Sequence, residues 1–214
     1  MTFTIKKRSL FIFMDTDALL DSAINYITSI FSQNTDGHDT EHSLRVYHYA
    51  AKLAAHYPEA DKTVIYLSAL LHDVDDHKLF NTTNNANARF FLNSKNIDSD
   101  TIEKICSVIN SVSFSNNKRM KPATIEGCIV QDSDRLDAIG AIGIARTFAY
   151  GGKNNRSIAE SKDHFYEKLL QLKDLMNTPE AKKLALKKHA YMEEYVHTLE
   201  KDLSFSQYSD NSGY

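Results

Sequence analysis

Little in this chain breaks a helix: three prolines and seven glycines are spread over 214 residues. Period-2 alternation, the mark of half-buried strands, is essentially missing, and so are repeats and low-complexity tracts. Cysteine is equally scarce. Cys106 and Cys128 are the only two, which excludes a disulfide framework and makes a reducing cytoplasm the simplest home. No apolar run approaches the roughly 18 residues that span a bilayer. Neither sign of charge dominates, with 25 Lys+Arg against 28 Asp+Glu. That balance argues against a surface coating nucleic-acid polymer, which needs a clustered basic face. It leaves room for a single nucleotide, because a small polyphosphate needs only a few local cations and a metal.

Near the start, Lys6-Lys7-Arg8 precede Leu10-Phe11-Ile12-Phe13-Met14 and faintly suggest a signal peptide. That apolar stretch, about five residues, is too short, and Asp15-Thr16-Asp17 follows with no small-residue cleavage site. Translation from Met14 is the simpler expectation, and intact-mass analysis of the native product would check it.

What the chain does have is 3.6-residue apolar periodicity over most of its length. The pattern predicts helices over 17–31, 40–54, 61–73, 84–92, 99–112, 125–150, 158–176 and 179–203. Asp100-Thr101-Ile102-Glu103 reads as a capping box, and Thr178-Pro179 as a cap with a first-turn proline. Gly140 and Gly143, with Ala138, Ala141 and Ala145, suggest close contact with a neighbouring helix, and Gly151-Gly152 a stop. The expectation is an all-α single domain over 15–203. Residues 153–156 are read as a loop, and 1–14 and 204–214 as disordered or non-domain termini.

Three of these helices carry costly polar groups. His72-Asp73 follow directly on Leu67-Ser68-Ala69-Leu70-Leu71, and burying an imidazole beside a carboxylate calls for a partner such as a divalent cation. On a continued helix, His72 and Asp76, and Asp73 and His77, would stand one turn apart. Asp75, Asp76 and His77 alone could equally be a solvated helix end. His42 lies on another helix, with His38 and His48 read as surface or satisfied residues. Asp132, Asp134 and Asp137 sit on a third, among Ile129, Val130, Leu136, Ile139 and Ile142. There Arg135 could pair with one carboxylate and a metal with another.

The order His42, His72-Asp73, Asp134 resembles the HD superfamily of metal-dependent phosphohydrolases. The likeness extends to Leu70-Leu71-His72-Asp73-Val74-Asp75-Asp76-His77-Lys78, to Gln131-Asp132-Ser133-Asp134-Arg135-Leu136-Asp137, and to His164-Phe165-Tyr166-Glu167-Lys168-Leu169. These are similar to the YpgQ- and YedJ-like bacterial branch, over about residues 15–203. The resemblance implies an HD-domain helical bundle with a metal site in its core. Its ligands would be His42, His72, Asp73 and Asp134, the last chosen over Asp137 by the Asp134-Arg135-Leu136 element. It implies one divalent ion: manganese is the expectation, with Ni, Co, Fe, Mg and Zn as alternatives.

Asp76 occupies the place of an acidic catalytic residue in related enzymes, with His77 the neighbouring candidate. Arg45, Lys78, Arg135, Lys153 and Lys168 are the cations expected to meet phosphate. The implied reaction is cleavage of a (deoxy)nucleoside triphosphate to monophosphate and pyrophosphate. The alternatives are a 5′-nucleotidase-type phosphomonoesterase and a non-catalytic nucleotide sensor. A cyclic-dinucleotide phosphodiesterase is disfavoured by the absence of a Gly-Tyr-Pro element. Apolar helix stripes could support a homodimer, although nothing in the sequence specifies one.

Overall fold

The computed structural model describes residues 16–32, 39–112 and 120–208, with side chains described up to 204. The expected start at Met14, His38 and residues 209–214 lie outside the described residues. Within them every regular element is helical. No helix there is long and apolar enough to cross a membrane.

Helix starts follow side chains that satisfy first-turn N–H groups. After α1 (Thr16–Ile30), α2 (Thr40–Ala54) is capped by Asp39, whose carboxylate accepts from the His42 N–H at 2.7 Å. Asp61 caps α3 (Lys62–Leu71) in the same way, accepting from Val64 N–H at 3.1 Å. The start of α4 (Ala86–Ser94) is different. Asn85 stands there with φ 53° and makes no cap of its own. Asp75 reaches over from the preceding loop and accepts from the N–H groups of Asn87 and Ala88, at 2.9 and 3.0 Å. α5 (Ser99–Val112) opens on Asp98, which accepts from Thr101 N–H at 3.0 Å. The expected Asp100–Glu103 box is replaced, because Glu103 is drawn into a two-pronged pair with Arg89 at 2.5 and 2.8 Å.

Three expected helices end early or break. α3 stops at Leu71, with His72 as its cap and tight turns beyond it, so Asp73, Asp76 and His77 do not share a helical face. The segment 125–150 is two helices, α6 (Ile125–Asp137) and α7 (Gly140–Lys153). Gly140 turns the corner at φ 78°, where a Cβ is unfavourable. A Cβ on Gly143 would fall 2.2 Å from the Ala138 carbonyl oxygen, so α7 folds back tightly on the end of α6. The small residues therefore build a corner, and Gly140 also admits a neighbouring helix, since its Cβ would lie 3.1 Å from Lys188 Cγ. Gly151 and Gly152 do not stop α7, which ends at Lys153.

The segment 158–176 divides likewise, into α8 (Ile158–Glu167) and a 3-10 turn (Leu169–Leu175). α8 opens on a Ser157–Glu160 capping box. Thr178 caps α9 (Pro179–Tyr208), its hydroxyl accepting from Ala181 N–H at 3.3 Å. That helix runs past Leu203 to Tyr208.

α2, α3, α5 and α6 pack together, with α1 against α3; α7, α8, the 3-10 turn and α9 form a second group joined through α6. Fully buried Leu53, Ile65, Leu67, Leu70, Leu71, Ile129 and Leu136 fill the first group. Each such side chain contributes roughly 1.5–3 kcal/mol. Asp132 ties the groups, accepting from the Asn177 N–H at 2.8 Å, the Asn177 amide at 2.9 Å, and the Thr178 N–H and hydroxyl at 2.8 Å. Burial pushes its pKa up, and those donors oppose the rise.

Candidate metal centre

The first turn of α2, the end of α3 and the last turn of α6 meet at one point. His72 Nδ1 lies 2.9 Å from the Ala69 carbonyl oxygen. A carbonyl can only accept, so Nδ1 carries the proton and Nε2 keeps its lone pair. His42 is set the same way, with Nδ1 2.7 Å from Asp137 Oδ2. The two Nε2 atoms then face each other at 3.3 Å. Two lone pairs at that separation repel unless a positive charge lies between them.

Carboxylates complete the cluster. Asp73 Oδ2 is 3.4 Å from both Nε2 atoms, and Asp134 Oδ1 is 3.4 Å from His42 Nε2 and 4.0 Å from His72 Nε2. Ligand atoms of His42, His72 and Asp134 all lie within 4.8 Å of one another. Donors around one cation at about 2.1 Å stand about 3–3.5 Å apart, so the set fits a divalent metal. Burial alone would lower the His42 pKa, but Asp134, Asp137 and Asp73 raise it well above the usual imidazole value. The cluster demands positive charge.

Asp137 is not among the converging groups. It is 1% exposed and holds the far side of His42. Arg45 Nε donates to its Oδ1 at 2.7 Å, and Arg146 Nη1 to its Oδ2 at 2.9 Å. Burial would raise its pKa; the bonds from His42 and Arg45 more than reverse that, and the carboxyl is held well below its usual range.

Beside the cluster opens a cavity of about 900 Å³. Of the residues expected to act on substrate, Asp76, His77, Lys78, Lys153 and Lys168 line it. Asp76 Oδ1 accepts the Lys78 N–H at 2.8 Å, and the His77 ring is 67% exposed. Arg45 and Arg135 do not line the cavity. Arg45 is committed to Asp137. Arg135, one residue on from Asp134, is turned about 100° around the helix and buried, donating to the Leu175 carbonyl.

In their place stand Arg146, Arg156 and His164, which sequence reasoning did not assign. A signal was present: Gly143, Arg146, Thr147, Tyr150, Lys153 and Asn154 recur at helical spacing and all line the cavity. Burial pushes the Lys168 ammonium pKa down; Asp134 opposes, while Lys78, Arg146 and Arg135 push it further down. His164 is lowered by burial and then by Lys168.

Paired imidazoles and carboxylates on separate helices, next to a basic cavity, define a metal-dependent hydrolase centre. The chain belongs to the HD superfamily of such hydrolases. The HD domain model matches residues 40–139. Among relatives, YpgQ of Bacillus subtilis (strain 168) is 36% identical over 189 residues, spanning 83% of this chain and 90% of YpgQ. The crystal structure of Bacillus subtilis YpgQ in complex with ADP superposes with a TM-score of 0.75 and 32% identity, over 88% of this chain and 97% of that one. An HD-superfamily hydrolase from Bacillus thuringiensis gives a TM-score of 0.72 and 35% identity, over 89% and 99%.

Proposed function

We propose that the protein is a (deoxy)nucleoside triphosphate pyrophosphohydrolase, releasing a nucleoside monophosphate and pyrophosphate. The carrying observation is the density of cations beside the His/Asp cluster: Lys78, Arg146, Lys153, Arg156 and Lys168 line one cavity. A single phosphoryl group needs fewer, so a polyphosphate accounts for the set better than a monophosphate does. The complex of YpgQ with ADP supports a nucleotide as the molecule carrying it.

In this reading His42, His72, Asp73 and Asp134 hold one divalent cation. Manganese suits two imidazoles and two carboxylates with no thiolate. Bound there, the cation supplies Lewis acidity, acidifying water and neutralising charge on a phosphoryl oxygen. Asp76 takes or returns a proton beside it, with His77 as the exposed neighbour. Water attacks the α-phosphorus, the bond to the α,β-bridging oxygen breaks, and pyrophosphate leaves against the lysines and arginines. The free, buried thiols of Cys106 and Cys128 fit a reducing cytoplasm.

The test is turnover with manganese against nucleoside mono- and triphosphates, with pyrophosphate and orthophosphate detected separately. Pyrophosphate from triphosphates, abolished by Asp73→Ala, is the expected result. Orthophosphate from monophosphates would replace this reading with a 5′-nucleotidase. Nucleotide binding without turnover under any metal would make the protein a sensor.

A further inference from the structure

The walls of the cavity differ in chemistry. One, made by α7, the linker after it, α8 and the residue that ends α8, carries Arg146, Lys153, Arg156 and Lys168. The second is made by the loop after α3 and the last turns of α5. It presents Leu79, Asn85, Ile109, Asn110 and Val112, next to Asp75 and Asp76. The His/Asp cluster joins the two walls: Asp73 leads into the loop, and His42 reaches α7 through Asp137 and Arg146.

The second wall is continuous. Asn85 lies beside Cys106, and Ile109 and Asn110 follow Cys106 by one helical turn on the same face. Asn85 is 8% exposed, and its buried Nδ2 makes no hydrogen bond beyond a weak one to the Cys106 thiol. A buried donor held by no more than a weak thiol acceptor, on a cavity wall, is open to a stronger acceptor on a ligand. Carboxylates beside this wall disfavour phosphate. Lys78 stands in the same loop, between Asp76 and Leu79, where the loop leads from the His/Asp cluster into this wall.

We infer that the Leu79–Asn85–Ile109–Asn110–Val112 wall is the nucleoside end of the cavity and the α7–α8 wall the pyrophosphate end, with the α-phosphorus at the His/Asp cluster. This orientation rests on the nucleotide reading above. Leu79, Ile109 and Val112 offer an apolar edge to the base or sugar. The amides of Asn85 and Asn110 are the specificity-determining groups, able to donate to and accept from a base edge. Tyr150 is the rival platform for a base, but it sits on the cationic wall and the Arg156 guanidinium already lies over its ring at 5.4 Å.

The experiment is calorimetric titration of the manganese-loaded full chain with two probes, a non-hydrolysable deoxynucleoside triphosphate and inorganic tripolyphosphate. Asn110→Ala, on an exposed side chain, and Asn85→Gly, which tolerates the positive φ, should each weaken the nucleotide about tenfold and tripolyphosphate less than about twofold. Lys153→Ala and Arg156→Ala should weaken both probes. If nucleotide binds and the Asn variants weaken both probes alike, or neither, the orientation is wrong while the nucleotide reading stands. Selective loss of nucleotide in Tyr150→Ala would place the base at the opposite end. Wild-type protein that binds tripolyphosphate but no nucleotide would overturn the substrate reading and this inference with it.

Discussion

Asp137 Oδ2 accepts the Nδ1–H of His42 at 2.7 Å while two arginines, Arg45 and Arg146, hold the same carboxylate. The arrangement fixes the His42 tautomer and aims Nε2 at the metal site. Asp137→Asn replaces an acceptor with an amide that can turn its donor to the ring. Metal affinity should fall about 10- to 100-fold. Manganese titration followed by electron paramagnetic resonance measures it, and unchanged affinity would mean that the tautomer is fixed by something else.

The same carboxylate sets an acid limit on stability. Its folded pKa lies below the ordinary value, so ionised Asp137 contributes stability that is present above about pH 4 and is lost as the pH falls through the folded pKa. In metal-free protein, Tm plotted from pH 6 to pH 3 should therefore fall less steeply for Asp137→Asn than for wild type. Parallel curves would show that the clamp adds nothing.

Ligand and acid roles separate by what each variant retains. His72→Ala and Asp73→Ala should lose bound metal and turnover together. Asp76→Ala should keep the metal, because its carboxylate bonds the Lys78 N–H and not the imidazoles. Its turnover should drop about 10²–10⁴-fold. Metal analysis beside rate measurement decides, and full turnover in Asp76→Ala would remove its catalytic assignment.

Helix identity and the metal cluster are legible in the sequence because both rest on local pattern: apolar periodicity, capping residues, and a histidine–aspartate pair that follows a buried apolar run. What was not legible depends on where chains meet. Asp75 caps a helix eleven residues on, and Glu103 leaves its own first turn for Arg89. The run 125–150 looks continuous until Gly140 takes a positive φ and Gly143 admits the Ala138 carbonyl. The turn beside His42 predicts Arg45 as a phosphate ligand, whereas Asp137, far along the chain, captures it. The face of α7 that carries Arg146 recurs at helical spacing, but the cluster that gives this face its meaning comes from α2, α6 and the end of α3.

Lys188 supports the corner that the site depends on. From α9 its ammonium donates to the Leu136 and Ile139 carbonyls at 2.9 and 3.1 Å, and it lies 5.0 Å from the centre of the Tyr49 ring. These carbonyls end α6 and precede α7, where the helix dipole favours a cation. The stem also packs on Gly140, whose Cβ position would lie 3.1 Å from Lys188 Cγ. Lys188→Met keeps the stem and removes both hydrogen bonds, leaving two buried carbonyls short of a donor. The expected loss is about 1–3 kcal/mol in urea unfolding of the metal-free protein. Lys188→Arg, which still brings donors to the corner, should recover part of it. A loss in Lys188→Met below about 0.5 kcal/mol, the range of an ordinary surface change, would mean that Gly140 and Gly143 hold the corner by themselves.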